Sequence, residues 1–297
     1  MRRPGVAQLI FVWLFLLIEA CAAQVRTAPA PLKVVASFSI LGDLVKNVGG
    51  DRITLTTLVG PDGDVHVYSP TPADVRRIAE ARLFVVNGLG LEGWLPRLIE
   101  AAGSKAAIVV ATGRIAPLKA GSTADPHAWQ SASNAKSYVM TIADALALAD
   151  PINADFFRNN AEDYLAKLDA LDHEIEQAVS QIPKDRRKVI STHNAFAYFE
   201  ARYGIEFIAP LGVSTESQVS ARDVAGIITQ VKAAHIPAVF LEKVGDPRLI
   251  RRISAETTAK IGGTLYSDSL TDEKGDGPTY IEMMRHNIRA LTSALAN

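Results

Sequence analysis

From Asp150 to Pro183 the chain reads DPINADFFRNNAEDYLAKLDALDHEIEQAVSQIP, and its apolar positions Phe157, Ala161, Tyr164, Leu168, Leu171, Ile175, Ala178 and Ile182 recur at steps of three and four. Only a helix places that spacing on one face. Asp150 is expected to cap it, Pro151 stands where a helix needs no backbone donor, and Pro183 stops it. Such a helix would run about 48 Å, more than a lobe of roughly 120 residues requires. The pattern therefore predicts a spine at 150–183 shared by two lobes, 32–149 and 184–297.

On either side of the spine, short β-rich runs alternate with helical patterns, which predicts parallel sheets covered by helices. Before it, strands are expected at Lys33 to Ser37, Thr54 to Leu58, Leu83 to Val86 and Ala107 to Val110. Helices are expected at Ile40 to Val48, Pro72 to Glu80, Leu91 to Ala102 and Asn134 to Ala149. After it, the strands are Lys188 to Ser191, Glu206 to Ile208, Ala238 to Leu241 and Thr264 to Tyr266, with a last helix from Thr279 to Leu295. Gly49-Gly50, Gly60-Pro61, Gly262-Gly263 and Gly277-Pro278 fall where turns are needed. The expected class is α/β: two lobes, each with a mainly parallel β-sheet flanked by helices, joined by one long backbone helix.

Composition narrows the partners. With 31 basic against 32 acidic residues in 297, no charge excess points to nucleic acid. The one cysteine, Cys21, leaves neither a disulfide framework nor a thiolate metal site for the folded body. Arg2 and Arg3, an apolar run from Leu9 to Ile18, and the small residues Ala20 to Ala23 form the pattern of a secretory signal over residues 1–23. The run is short for a membrane span. Cleavage at Ala20-Cys21-Ala22 would give a protein exported to the periplasm; reading Ile18-Glu19-Ala20-Cys21 as a loose lipobox would give a lipoprotein anchored through Cys21. Residues 24–31 read as a polar, Pro/Ala-rich linker.

Four residues stand just beyond an expected strand or in a loop that follows one, where open α/β sheets bind ligands. They are His66 in GPDGDVHVYSPTPAD, His127 in ADPHAWQSASNAK, His193 in STHNAFAYF and Asp268 in GGTLYSDSL. Three imidazoles and a carboxylate suit tetrahedral Zn2+. Their wide spacing is no motif by itself, and the ordinary reading of a loop histidine is a surface or capping residue, of an aspartate after a strand a turn or N-cap. Position alone leaves both readings open. His173, off the apolar stripe, is expected to be solvated; His235 ends a helix, and His286 lies in the last one.

The local sequences go further. GPDGDVHVYSPTPAD, DPHAW with Asn134 behind it, STHNAFAYF, the run VFLEKVGDPRLIRRISAETTAKIGGTLYSDSL and the long helix between them resemble, in order, the metal-binding solute-binding proteins of bacterial ABC transporters. This is the zinc/manganese family of periplasmic or lipoprotein receptors. The resemblance implies that His66, His127, His193 and Asp268 are the metal ligands. It places Glu242 beside the site, where Glu242 and Asn134 are expected to hold imidazoles in orientation. It also implies an ABC permease as partner. His193 favours Zn2+ over Mn2+ or Fe2+, since manganese receptors commonly carry glutamate there. Val65 and Ser69 replace a proline and a glutamate frequent in the family. The loop GRIAPLKAGST, Gly113 to Thr123, lacks the histidines and acids that zinc receptors often carry, so metal would arrive directly or from a periplasmic metallochaperone.

The chain is thus expected to be a monomeric, non-catalytic metal receptor. A zinc hydrolase using His66, His127 and His193 with Asp268 or Glu242 as base is the alternative from another class, although no H-E-x-x-H signature is present. A surface adhesin on the same fold is a third.

Overall fold

The computed structural model describes residues 30–216 and 219–296, so the expected signal segment, Cys21 and nearly all of the linker lie outside the described residues. The first half is organised around β1 (Leu32–Phe38), whose sequence LKVVASF is buried at its last five positions. A near-continuous apolar run of this kind belongs in the middle of a parallel sheet covered on both faces. It lies between β2 (Ile53–Val59) and β3 (Leu83–Val86), and β4 (Ala107–Val110) completes the order β2-β1-β3-β4, every pairing parallel. Helices α1 (Ser39–Gly49), α2 (Pro72–Glu80) and α3 (Leu95–Ala102) make the crossovers. The start of α2 is fixed by a reciprocal cap: Thr71 Oγ1 accepts from the Asp74 N–H, and Asp74 accepts from the Thr71 N–H at 2.8 Å.

A stretch read from sequence as loop contains a two-residue antiparallel pair, β5 (Lys119–Ala120) with β6 (Thr123–Ala124). Gly121, at φ 62°, supplies the left-handed turn residue between them. Helix α4 (Ala132–Ala149) follows, starting two residues earlier than expected because Ser131 caps it.

The spine is present but shorter. Pro151–Asn153 forms a 3-10 turn, and the α-helix proper, α5, spans the 27 residues Ala154–Ser180, about 40 Å. Asp150 does not cap α5; its carboxylate accepts from Asn153 Nδ2 at 2.6 Å, bracing the turn that leads into the helix. The buried stripe matches the expected one, except that Val179 rather than Ala178 is fully covered. Asp172 shares that stripe and is buried because it accepts from Arg202 at 2.6 Å and from the Tyr203 hydroxyl at 2.7 Å.

In the second half β7 (Lys188–Ile190), β8 (Glu206–Ile208), β9 (Ala238–Glu242) and β10 (Lys260–Leu265) form a parallel sheet of order β10-β9-β7-β8. Helices α6 (Ala197–Tyr203), α7 (Ala221–Ala233), α8 (Pro247–Ala255) and α9 (Tyr280–Leu295) accompany it. Gly262-Gly263 marks not the turn expected but an irregularity inside β10. The strand passes so close to its cover that a Cβ at Gly262 would lie 2.7 Å from the Phe240 ring and 2.8 Å from Ala294 Cβ.

The main core runs from β1 and α1 through α4 and α5 to Tyr280, Ile288 and Leu291 of α9. Helix α5 lies along α4 and touches both α1 and α9. A smaller cluster around Ile190, Val231, Val239, Ile250 and Ile253 packs α7 and α8 on the second sheet. No helix among the described residues is long and apolar enough to cross a membrane.

Candidate metal centre

His66 and His127 are held by their local sequence, His193 and Asp268 by groups from distant parts of the chain. His66 stands in the loop from β2 to α2, where Asp64 Oδ1 accepts from its backbone N–H at 2.9 Å. His127 follows Asp125-Pro126, and Asp125 Oδ1 takes both the His127 N–H at 2.9 Å and its Nδ1–H at 2.8 Å. His193 lies three residues beyond β7, beside the end of β9. There Glu242 Oε1 accepts from the N–H groups of Thr192 and His193, at 2.6 and 2.9 Å, while Oε2 holds His193 Nδ1 at 2.5 Å. Asp268 follows β10. The carbonyl of its neighbour Ser267 accepts from Trp129 Nε1 at 2.8 Å and Gln130 Nε2 at 2.6 Å, which ties the His127 segment to the Asp268 segment.

These arrangements bring His66, His127, His193 and Asp268 together, with one donor atom from each within 4.8 Å of all the others. His193 Nε2 is 3.1 Å and His66 Nε2 3.6 Å from Asp268 Oδ2; His127 Nε2 is 3.5 Å from Asp268 Oδ1 and 3.4 Å from His66 Nε2. Donors at 2.1 Å around a tetrahedral ion are about 3.4 Å apart, so the cluster has the size of a four-coordinate transition-metal shell. His127, His193 and Asp268 are fully buried. His193 Nε2 and both Asp268 oxygens find no hydrogen-bond partner, an arrangement that costs about 1–3 kcal/mol per group unless a cation occupies the space between them. With Nδ1 of His127 and His193 engaged by carboxylates, the inferred tautomers turn both Nε2 lone pairs inward.

Electrostatics separates the two buried imidazoles. Burial depresses the pKa of His127, against the pull of Asp125, so the ring is neutral. Burial acts the same way on His193, but Glu242 and Asp268 on its two sides overcome it and hold its pKa well above the ordinary value. Burial would raise Asp268; His193, with His66 and His127, instead keeps it well below the carboxylate range. Asp268 and His193 thus favour each other's charged forms, so a proton on His193 would compete with a cation for the space between them.

Asn134, expected to orient an imidazole, does not: as the third residue of α4 it is drawn into the helix start, its Nδ2 donating to the Ala128 carbonyl at 3.3 Å and its N–H to Ser131. Asp125 holds that imidazole instead. The signal was in the sequence, since an aspartate two residues before a histidine across a proline can fold back on it. Another missed residue is the buried Glu92, which accepts from Ser37 Oγ at 2.7 Å and from the N–H groups of Asn87 and Gly88. Asn87 in turn donates to the Pro126 carbonyl at 2.9 Å, bracing the His127 loop. His173 is exposed, His286 Nε2 meets the Thr264 carbonyl at 2.9 Å, and His235 closes α7 in a left-handed conformation; none joins the cluster. A cavity of about 240 Å³, lined in part by His66, Leu91, Pro126, Val213 and Glu216, borders His66, the one member of the cluster that is not fully buried.

Residues 34–294 match the family model described as zinc-uptake complex component A, periplasmic. The chain belongs to this family. As a zinc-uptake component A family member it is a metal-binding, substrate-binding component of an ABC transporter and not an enzyme. Relatives include the manganese-binding lipoprotein MntA of Halalkalibacterium halodurans, 35% identical over 89% of each chain. The iron-binding protein YfeA of Yersinia pestis is 34% identical over 86% of this chain and 84% of its own. The periplasmic zinc-binding protein TroA of Treponema pallidum shares the fold with a TM-score of 0.87 at 28% identity, covering 90% of this chain and all of that one. Family membership thus settles the class, divalent metal capture outside the cytoplasm, while the named metals differ among these relatives.

Proposed function

We propose that this receptor binds zinc through His66, His127, His193 and Asp268 and hands it to the membrane permease of its transporter. The observation that carries the reading is the convergence of three imidazoles and an unpartnered carboxylate, whose donor atoms lie within 4.8 Å of one another with four separations of 3.1–3.6 Å. Three nitrogens and one carboxylate form a donor set suited to Zn2+, whereas hard cations favour oxygen-rich shells. With every ligand supplied by the protein, no position remains for a nucleophilic water. A manganese or iron receptor is the second reading: both Asp268 oxygens are unpartnered, which suits a bidentate carboxylate and a higher coordination number. Elemental analysis of the purified mature protein, followed by zinc, manganese and iron competition on wild type and His193→Ala, separates them. Wild-type zinc affinity in the variant would overturn the ligand assignment.

The same reading takes 32–149 and 184–297 as lobes that each supply two ligands, with the spine at 150–183 limiting their rotation. Metal release then alters loops around the cleft more than lobe orientation, and a large difference between metal-free and metal-loaded scattering profiles would refute this. Relatives named as lipoproteins support a lipid anchor at Cys21; the soluble periplasmic form is the other outcome, and mass spectrometry of the mature N-terminus distinguishes them. The receptor works as a monomer. The loop from Gly113 to Thr123, with no histidine or acid, supports loading directly through the cavity at His66 or from a metallochaperone.

A further inference from the structure

A second cavity, of about 400 Å³, lies far from the metal centre, where the starts of β9 and β10 meet the last turn of α9. Arg186, Thr258, Lys260 and Ser293 line it, with Pro237 and Ile261 among its apolar residues. No acidic side chain is part of that lining. Neighbouring cations are engaged: Lys188 pairs with Glu206 at 2.9 Å, and Arg187 Nε donates to the Ile182 carbonyl at 2.9 Å. Arg186 Nε is also shut away from water but has no acceptor among the described residues. No side-chain hydrogen bond or ion pair of Arg186 is formed among the described residues, so the guanidinium that lines the cavity is left to an acceptor from solution.

The chemistry of that acceptor follows from the lining. Two cations repel a metal ion and attract an anion, a guanidinium fork matches two oxygens of one group, and two hydroxyls add donors. Ile261, a large apolar side chain 44% exposed on the outer strand of the sheet, offers carbon surface beside them. The volume falls in the range of small-molecule sites. We propose that this cavity binds a small organic oxyanion, a carboxylate or phosphate monoester with an apolar body. The site is independent of metal capture: Ala238 opens β9 at the cavity, whereas Glu242 ends the strand at the metal centre, about 13 Å away along it.

Calorimetry on the metal-loaded protein tests this with benzoate, phenyl phosphate and inorganic phosphate. One-site binding of benzoate or phenyl phosphate is expected, and the one that binds more tightly identifies the head group. Phenyl phosphate should bind more tightly than inorganic phosphate; equal affinity would overturn the apolar part of the proposal. Arg186→Gln and Lys260→Gln, on separate elements, should each weaken binding about tenfold, as expected for a lost charge-assisted contact, and leave metal affinity unchanged. If Arg186→Gln impairs folding, Lys260→Gln decides. No saturable binding of either organic probe, or unchanged binding in a folded variant, would overturn the site.

Discussion

Glu242 holds His193 at two points, its Oε2 against the ring Nδ1 at 2.5 Å and its Oε1 on the backbone N–H at 2.9 Å. The last residue of β9 therefore fixes both the place and the tautomer of a proposed ligand on the loop after β7. Glu242→Gln keeps the shape but removes the charge that stabilises the inward-facing lone pair. Metal affinity is expected to fall 10–100-fold, as is typical for loss of such a partner, with far-ultraviolet circular dichroism unchanged. Chelator competition measures it.

Metal binding should release protons. His193, the proposed ligand whose pKa Glu242 and Asp268 raise, must be unprotonated to coordinate, so near neutral pH loading is expected to expel about one proton. The sign follows: affinity rises with pH up to the free-state pKa of His193 and falls about tenfold per unit below it. Titrations in buffers of different ionisation enthalpy count the protons. In Glu242→Gln, which loses one of the charges raising that pKa, the release should shrink at neutral pH.

Thr215 Oγ1 donates to Asp64 Oδ2 at 2.7 Å, Lys243 Nζ meets Asp62 Oδ1 at 3.2 Å, and the Asp62 N–H donates to the Leu270 carbonyl at 2.9 Å, so the His66 loop is tied to the second half at three points. Thr215→Val removes one tie, worth about 1 kcal/mol. Metal release into excess chelator, followed by stopped flow, is expected to accelerate about fivefold. Unchanged release would mean that this tie does not resist opening.

Asp172 is a buried acidic residue on the spine that accepts from Arg202 and Tyr203 of α6. Asp172→Ala is expected to lower stability by about 1–3 kcal/mol, because it leaves the buried Tyr203 hydroxyl without its acceptor, while Arg202 keeps its pairing with Glu176. Urea unfolding of the metal-free protein checks the value.

The sequence by itself determined the elements and their class. Periodicity located the spine, and β3, β4 and α2 fall where the apolar runs and the Thr71-Pro72 start place them, because these signals are local. The order of His66, His127, His193 and Asp268 relative to strand ends was legible for the same reason. Tertiary structure alone decided most of what surrounds those residues. That Glu242 reaches across from β9 to His193 and that Ser267 is gripped by Trp129 and Gln130 depend on which strand ends become neighbours, whereas the hold of Asp125 on His127 is local and was legible two residues away. What holds for Glu242 and Ser267 holds for the raised pKa of His193. A pKa is set by charges converging in space, and in the chain Glu242 and Asp268 stand far from the imidazole whose pKa they raise.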